Sequence, residues 1–100
     1  MKSYIYPAIL YYVPEDDDYM LHIEDLDVFA YGETVEEVQH NANDLLASYV
    51  QLSLRLLDDM PESTPFDNMR RKYPDYVVLL VEVVVDENTK KVVKKQLQKA

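Results

Sequence analysis

The sequence predicts an α+β domain of two layers, ordered β-β-β-α-β, with one long helix packed on a mixed four-stranded sheet. Three observations carry that prediction. Two runs, Tyr4 to Val13 and Tyr76 to Val85, are dense in β-branched, aromatic and aliphatic residues. Between them, residues 35–58 repeat apolar side chains every three or four positions, the period of a helix with one buried face. Turn-forming acids and the single glycine, Gly32, cut the stretch from Pro14 to Gly32 into short strand-like pieces.

Taken in order, Tyr4 to Val13 reads as a strand with apolar residues on both parities, so both its faces are expected to be covered. Pro7 cannot donate a ladder hydrogen bond, so it must stand where no donor is needed. Pro14-Glu15-Asp16-Asp17-Asp18 is a polar turn, Tyr19 to Ile23 returns antiparallel, and Asp25-Leu26-Asp27 turns again into Val28 to Tyr31. Thr34 with Glu37 three residues later forms a capping-box pattern, and Glu33, Glu36 and Glu37 suit the positive end of a helix dipole. Val35, Val38, Ala42, Leu45, Tyr49, Leu52 and Leu56 form the predicted core stripe down to about Asp58. Leu46, Val50, Leu54 and Leu57 widen it beyond what one sheet covers, which predicts a homo-oligomer, a dimer or larger. Residues 59–74 hold Pro61, Pro65 and Pro74 among polar residues and read as a loop. Tyr76 to Val85 is expected to lie parallel to the first strand through a right-handed crossover. The domain is read as residues 1–86, followed by a basic tail, 87–100, in which Val92, Val93 and Leu97 suit a short helix or frayed chain.

Charge and composition narrow the function. The net charge of −9 is uneven, because residues 87–100 hold five lysines against Glu87, a local +4 that leaves −13 on residues 1–86. Such a body repels phosphate backbones and attracts basic proteins. Without cysteine there is no disulfide, thiolate metal site or cysteine nucleophile. The opening Met1-Lys2-Ser3-Tyr4 has no signal-peptide pattern, and the longest apolar run, Tyr76 to Val81, is far short of the ~20 residues of a membrane span. A cytoplasmic protein with no membrane role is the expectation.

Several segments together resemble the HicB family of antitoxins. They are Tyr6-Pro7-Ala8-Ile9, the turn Glu24-Asp25-Leu26-Asp27, the helix entry Gly32-Glu33-Thr34-Val35-Glu36-Glu37-Val38, and the later Leu80-Val81-Glu82-Val83 with Val93-Lys94-Lys95. Ile23-Glu24 stand where the family usually has phenylalanine-proline. The resemblance implies a partial ribonuclease-H-like fold and an antitoxin that neutralises a small basic ribonuclease toxin of the HicA type by covering its active site. Many members continue into a DNA-binding domain. Here the sequence ends at Ala100, so a toxin-binding half without a DNA reader is expected.

The partner-binding residues expected on this reading are Glu24, Asp25, Asp27, Phe29, Tyr31 and Glu33, an acidic rim with aromatic support. An alternative is RNA binding through Lys90, Lys91, Lys94 and Lys95 together with exposed tyrosines. A divalent-metal nuclease is the weakest reading. Its carboxylates would be Glu36, Glu37 and Glu82, the first two already explained by helix capping, and the first strand offers none. Asp16-Asp17-Asp18 lacks the glycine and distal glutamate of a calcium loop, and His22 and His40 have no histidine four residues on. No cofactor, metal site or catalytic residue is expected.

Overall fold

A computed structural model describes residues 1–98, with side chains described through residue 93. The order is β1 (Lys2–Val13), β2 (Asp18–Ile23), β3 (Val28–Gly32), α1 (Val35–Leu56), α2 (Phe66–Lys72), β4 (Val77–Asp86) and β5 (Lys91–Gln98). One five-stranded sheet runs β3-β2-β1-β4-β5 with every neighbouring pair antiparallel. The α+β class stands. The mixed four-stranded sheet is corrected, and so is the short C-terminal helix, which is replaced by β5.

The direction of β4 follows from the route of the chain. A helix leading straight into a strand would deliver β4 parallel to β1. Here α1 ends near the start of β1, and residues 57–76 then carry the chain back to the other end of the sheet. Val77 therefore pairs with Leu10, and β4 descends to pair Val85 with Lys2. Part of that return is α2, in the stretch expected to be a loop. Phe66, Met69 and Tyr73 fall at helical spacing, Asp67 stands in its first turn, and Arg70, Arg71 and Lys72 stand in its last.

The three hairpins share one design. Each has a four-residue turn, at residues 14–17, 24–27 and 87–90, whose last residue is left-handed: Asp17 (φ 51°), Asp27 (φ 52°) and Lys90 (φ 57°). Aspartate tolerates that conformation through local hydrogen bonding. Pro7 sits in β1 opposite Leu80 of β4, beyond the last β2 partner at Ile9. Its nitrogen faces the side of β1 that no strand occupies, as its chemistry requires.

Two layers of helix enclose the sheet. On one face Val38, Ala42, Leu46 and Val50 of α1 pack with Tyr6, Ala8, Leu21, Ile23, Val81 and Val83. On the other, Met69 of α2 covers Ile9 and Val78. The buried stripe of α1 is thus rotated from the expected one: Leu46 and Val50 are core, whereas Leu52 and Leu56 are 57% and 60% exposed. Polar side chains fix the rotation. Asn41, Asn43 and Gln51 donate to the carbonyls of Tyr31, Glu82 and Lys90, each at 2.7 Å, so α1 is clipped to β3, to β4 and to the β4–β5 turn. Among the described residues no helix is long and apolar enough to cross a membrane.

The N-terminus of α1 is capped as its sequence implies: Glu37 N–H donates to Thr34 Oγ1 at 3.0 Å, and the Glu37 carboxylate accepts from Glu33 N–H at 3.3 Å. The C-terminus ends on a left-handed Leu57, with Asp58 N–H reaching Ser53 O, a Schellman closure that ordinarily uses glycine. Leu57 is 76% exposed. Leu57→Gly should therefore raise stability by about 0.5–1 kcal/mol in urea unfolding, since the strain relieved exceeds the added chain entropy. Gly32 has the opposite constraint: a Cβ there would lie 2.5 Å from the backbone nitrogen of Val38. Gly32→Ala should cost about 1–3 kcal/mol in the same measurement.

Candidate functional site

The face of the sheet opposite α1 is half covered. Cross-strand register builds two rows over it: Val78-Ile9-His22-Phe29, and Tyr11-Met20-Tyr31. Under α2 the first row is fully buried at Ile9, and it opens steadily to Phe29, 43% exposed at the sheet edge. In the second row Tyr11 is sheltered beside Tyr76, their rings 4.8 Å apart, and Tyr31 is 59% exposed. Met20, His22, Phe29 and Tyr31 therefore form an open platform at the β2–β3 end. The His22 ring lies flat on Phe29, 4.2 Å between centroids and 3° from parallel, and its Nε2 stands 3.2 Å from the Asp27 carboxylate. Stacking and the carboxylate together fix the imidazole as part of the platform.

Acids frame this surface. Asp27 ends β3 on one side, and Glu33, with Asp18 one residue beyond the Tyr19–Gly32 pair, ends it on the other. Glu36 and Glu37 are exposed in the first turn of α1. From Ser3 to Leu54 the chain has no lysine or arginine and eleven carboxylates. The Lys72 ammonium reaches the β2–β3 turn, where Glu24 engages it, and Arg70 and Arg71 share a concavity with Tyr76 at the α2 side of the face.

The expected partner-binding residues therefore divide. Asp27, Phe29, Tyr31 and Glu33 lie together along β3 and are exposed. Glu24 and Asp25 are turned to internal work. The Glu24 carboxylate accepts from Lys72 Nζ and Tyr73 OH, which ties the β2–β3 turn to the end of α2. Asp25 accepts from Thr64 N–H at 2.9 Å and Thr64 Oγ1 at 2.6 Å, which ties the same turn to the α1–α2 linker. Met20 and His22 belong to the platform and were absent from the expected set. Strand periodicity is the signal that places them there, since they alternate with the buried Leu21 and Ile23.

Lys90 and Lys91 are exposed at the β4–β5 turn and the start of β5, on the edge of the sheet farthest from the platform. The side chains of Lys94 and Lys95 lie outside the described residues. Of the residues expected to widen the α1 stripe for self-association, Leu46 and Val50 are core, Leu54 is half-buried and Leu57 is exposed. Glu36 is exposed, Glu37 serves the cap, and Glu82 is buried in β4. Among the described residues no group of three or more histidines or carboxylates is placed to hold a metal ion. A concavity of about 670 Å³ opens between the start of β1 and the end of α1. It is lined by Lys2 and Lys90 as well as Asp58 and Asp59, so its charge selects no partner.

No protein-family model matches this sequence, and no curated protein matches it.

The contacts of the turn predict its response to acid. Hydrogen bonds from Lys72 and then Tyr73 hold the Glu24 carboxyl below its ordinary value of 4.5, and the same carboxylate pushes Lys72 and Tyr73 up. Because the folded-state value is depressed, the stabilisation is complete above the ordinary carboxylate range and is lost as pH falls through the lowered value. Glu24→Gln should be less stable than the parent at neutral pH, and the gap should close as pH falls below the ordinary carboxylate range in acid-unfolding curves. A gap that stays constant through that fall would show that Glu24 does not carry the clamp.

Proposed function

We propose that this chain is a binding module that docks a basic protein on the acid-framed platform of Met20, His22, Phe29 and Tyr31, an antitoxin-like role of the HicB kind. The partner on this reading is a small basic ribonuclease toxin of the HicA type, held in the cytoplasm with its active site covered. The observation that carries the reading is a stacked aromatic and histidine surface left open in a region with eleven carboxylates and no lysine or arginine. Aromatic platforms supply binding energy by desolvation, and the surrounding charge selects the sign of the partner and speeds its approach. The segments that resemble the antitoxin family support the same choice.

The same platform viewed alone would suit stacked RNA bases. Its frame argues against that, because a phosphate backbone following those bases would run among Asp18, Asp27 and Glu33. The exposed lysines Lys90 and Lys91 stand at the opposite edge of the sheet, so stacking groups and phosphate-binding groups do not share a surface.

The reading is tested by mixing the chain with a HicA-type ribonuclease and following complex formation and RNA cleavage. A stoichiometric complex and protected RNA are expected. Reversing Asp27 and Glu33 together to lysine should weaken binding by about ten- to a hundredfold at low salt and less at high salt. Reversing Asp67, on the outer helix, should change it little. Persistent RNA cleavage with no complex at low salt would remove this function.

A further inference from the structure

The platform ends at a strand edge that is open for pairing. The Tyr31 carbonyl, bonded to Asn41 on α1, points away from β2. Antiparallel strands alternate the direction of their backbone groups, so Phe29 faces outward as well, opposite the non-bonded partner His22. The edge of β3 therefore presents Phe29 N–H, Phe29 C=O and Tyr31 N–H, none with a partner among the described residues.

Proteins usually blunt such an edge with proline, lysine, a bulge or a covering segment. The far edge shows these devices, with Lys91 starting β5 and a register shift at Val84/Val85 beside it. β3 has none. Its register with β2 is unbroken over five residues, it contains neither proline nor lysine, and it carries two exposed aromatic rings. The step above it is apolar too: Leu45 is one helical turn along α1 from Asn41, and both Leu45 and Val28 are half-buried against the core. A strand laid along β3 would alternate its side chains between the aromatic platform and this flank of α1.

We infer that β3 receives an extended segment bearing lysine or arginine from the partner as a sixth strand, joined through Phe29 and Tyr31. This rests on the reading of the chain as a docking module for a basic protein and adds how the contact is made. Charge chooses the occupant. Asp27 and Glu33 close the two ends of the edge, with Glu36 and Glu37 beside the second, so basic side chains flanking a short β-branched core meet opposite charge at both ends. A second copy of this chain pairing antiparallel would set Asp27 of one against Glu33 of the other, and like charges across a ladder are destabilising.

The probe is a nine-residue peptide of alternating lysine and valine with blocked ends, compared with its glutamate–valine counterpart, added to the full chain while amide exchange is followed by NMR. The lysine peptide should slow exchange at Phe29 and Tyr31 by about tenfold or more and leave the amides of α2 unchanged. The glutamate peptide should do neither. Phe29→Pro and Phe29→Ala both lose the platform ring, but only the proline also removes the outward N–H at an edge position, so Phe29→Pro should bind the peptide about tenfold more weakly than Phe29→Ala. The inference is overturned if neither peptide binds, if both protect alike, or if Phe29 and Tyr31 are already protected in a dimer of the chain alone. A toxin complex in which these amides exchange at their unbound rate also overturns it and leaves the docking function intact. Peptide protection without any toxin complex would keep the strand site and remove the antitoxin reading.

Discussion

Two adjacent carboxylates in one turn set the geometry of everything around them. Glu24 takes Lys72 and Tyr73, and Asp25 takes both donors of Thr64, so four hydrogen bonds from residues far along the chain meet at the β2–β3 corner. Bonds to a charged acceptor are stronger than those between neutral groups, and these hold a linker that has few other attachments. Tyr6 adds one more, its hydroxyl donating to the Pro61 carbonyl, and burial with the nearby Asp25 charge pushes that hydroxyl up to about 12. With the linker fixed, α2 rests on Ile9 and Val78 and goes no farther, which leaves the β2–β3 half of the face uncovered.

The same path determines the sheet. Had α1 fed β4 directly, the two would form a crossover and the strand would run parallel to β1. Residues 57–76 instead run from the α1 side, where Met60 and Pro61 meet the core and Tyr6, to the outer face at α2, clamped on the way at Thr64, Lys72 and Tyr73, and β4 enters from the opposite end. The antiparallel sheet, the second helical layer and the open platform are thus one consequence of a twenty-residue detour.

Local signals in the sequence were sufficient at caps, turns and alternating strands. Thr34 and Glu37 mark the start of α1, Pro7 marks the stretch of β1 that β4 pairs and β2 does not reach, and the alternation in β2 and β3 puts Phe29 and Tyr31 outward. The rotation of α1 was not legible, because Leu45, Tyr49, Leu52 and Leu56 form as regular a stripe as Val38, Ala42, Leu46 and Val50. Only the amide bonds of Asn41, Asn43 and Gln51 to three separate strands and turns decide between them, and those partners lie 10 to 39 residues away. A seven-residue helix between prolines is too short to announce itself by propensity, and its stability comes from Met69 entering the core. Glu24 and Asp25 looked available for a partner for the same reason: the groups that claim them are 39 to 49 residues downstream.

The remaining acids bear on two pairings of the β3 edge, with itself and with a partner strand. An edge with Phe29 and Tyr31 exposed and free of proline, lysine or a bulge invites pairing with any strand, including the same edge of another copy. Carboxylates at its two ends make that self-pairing unfavourable without closing the edge by steric means. What repels an identical anionic edge attracts a cationic one, so on the proposed reading one arrangement of charge disfavours pairing of two β3 edges and favours a strand of opposite sign. Lysine on β3 would have protected the edge equally well and reversed that choice. On the proposed reading, the absence of any lysine or arginine from Ser3 to Leu54 is what selects a cationic strand for this edge.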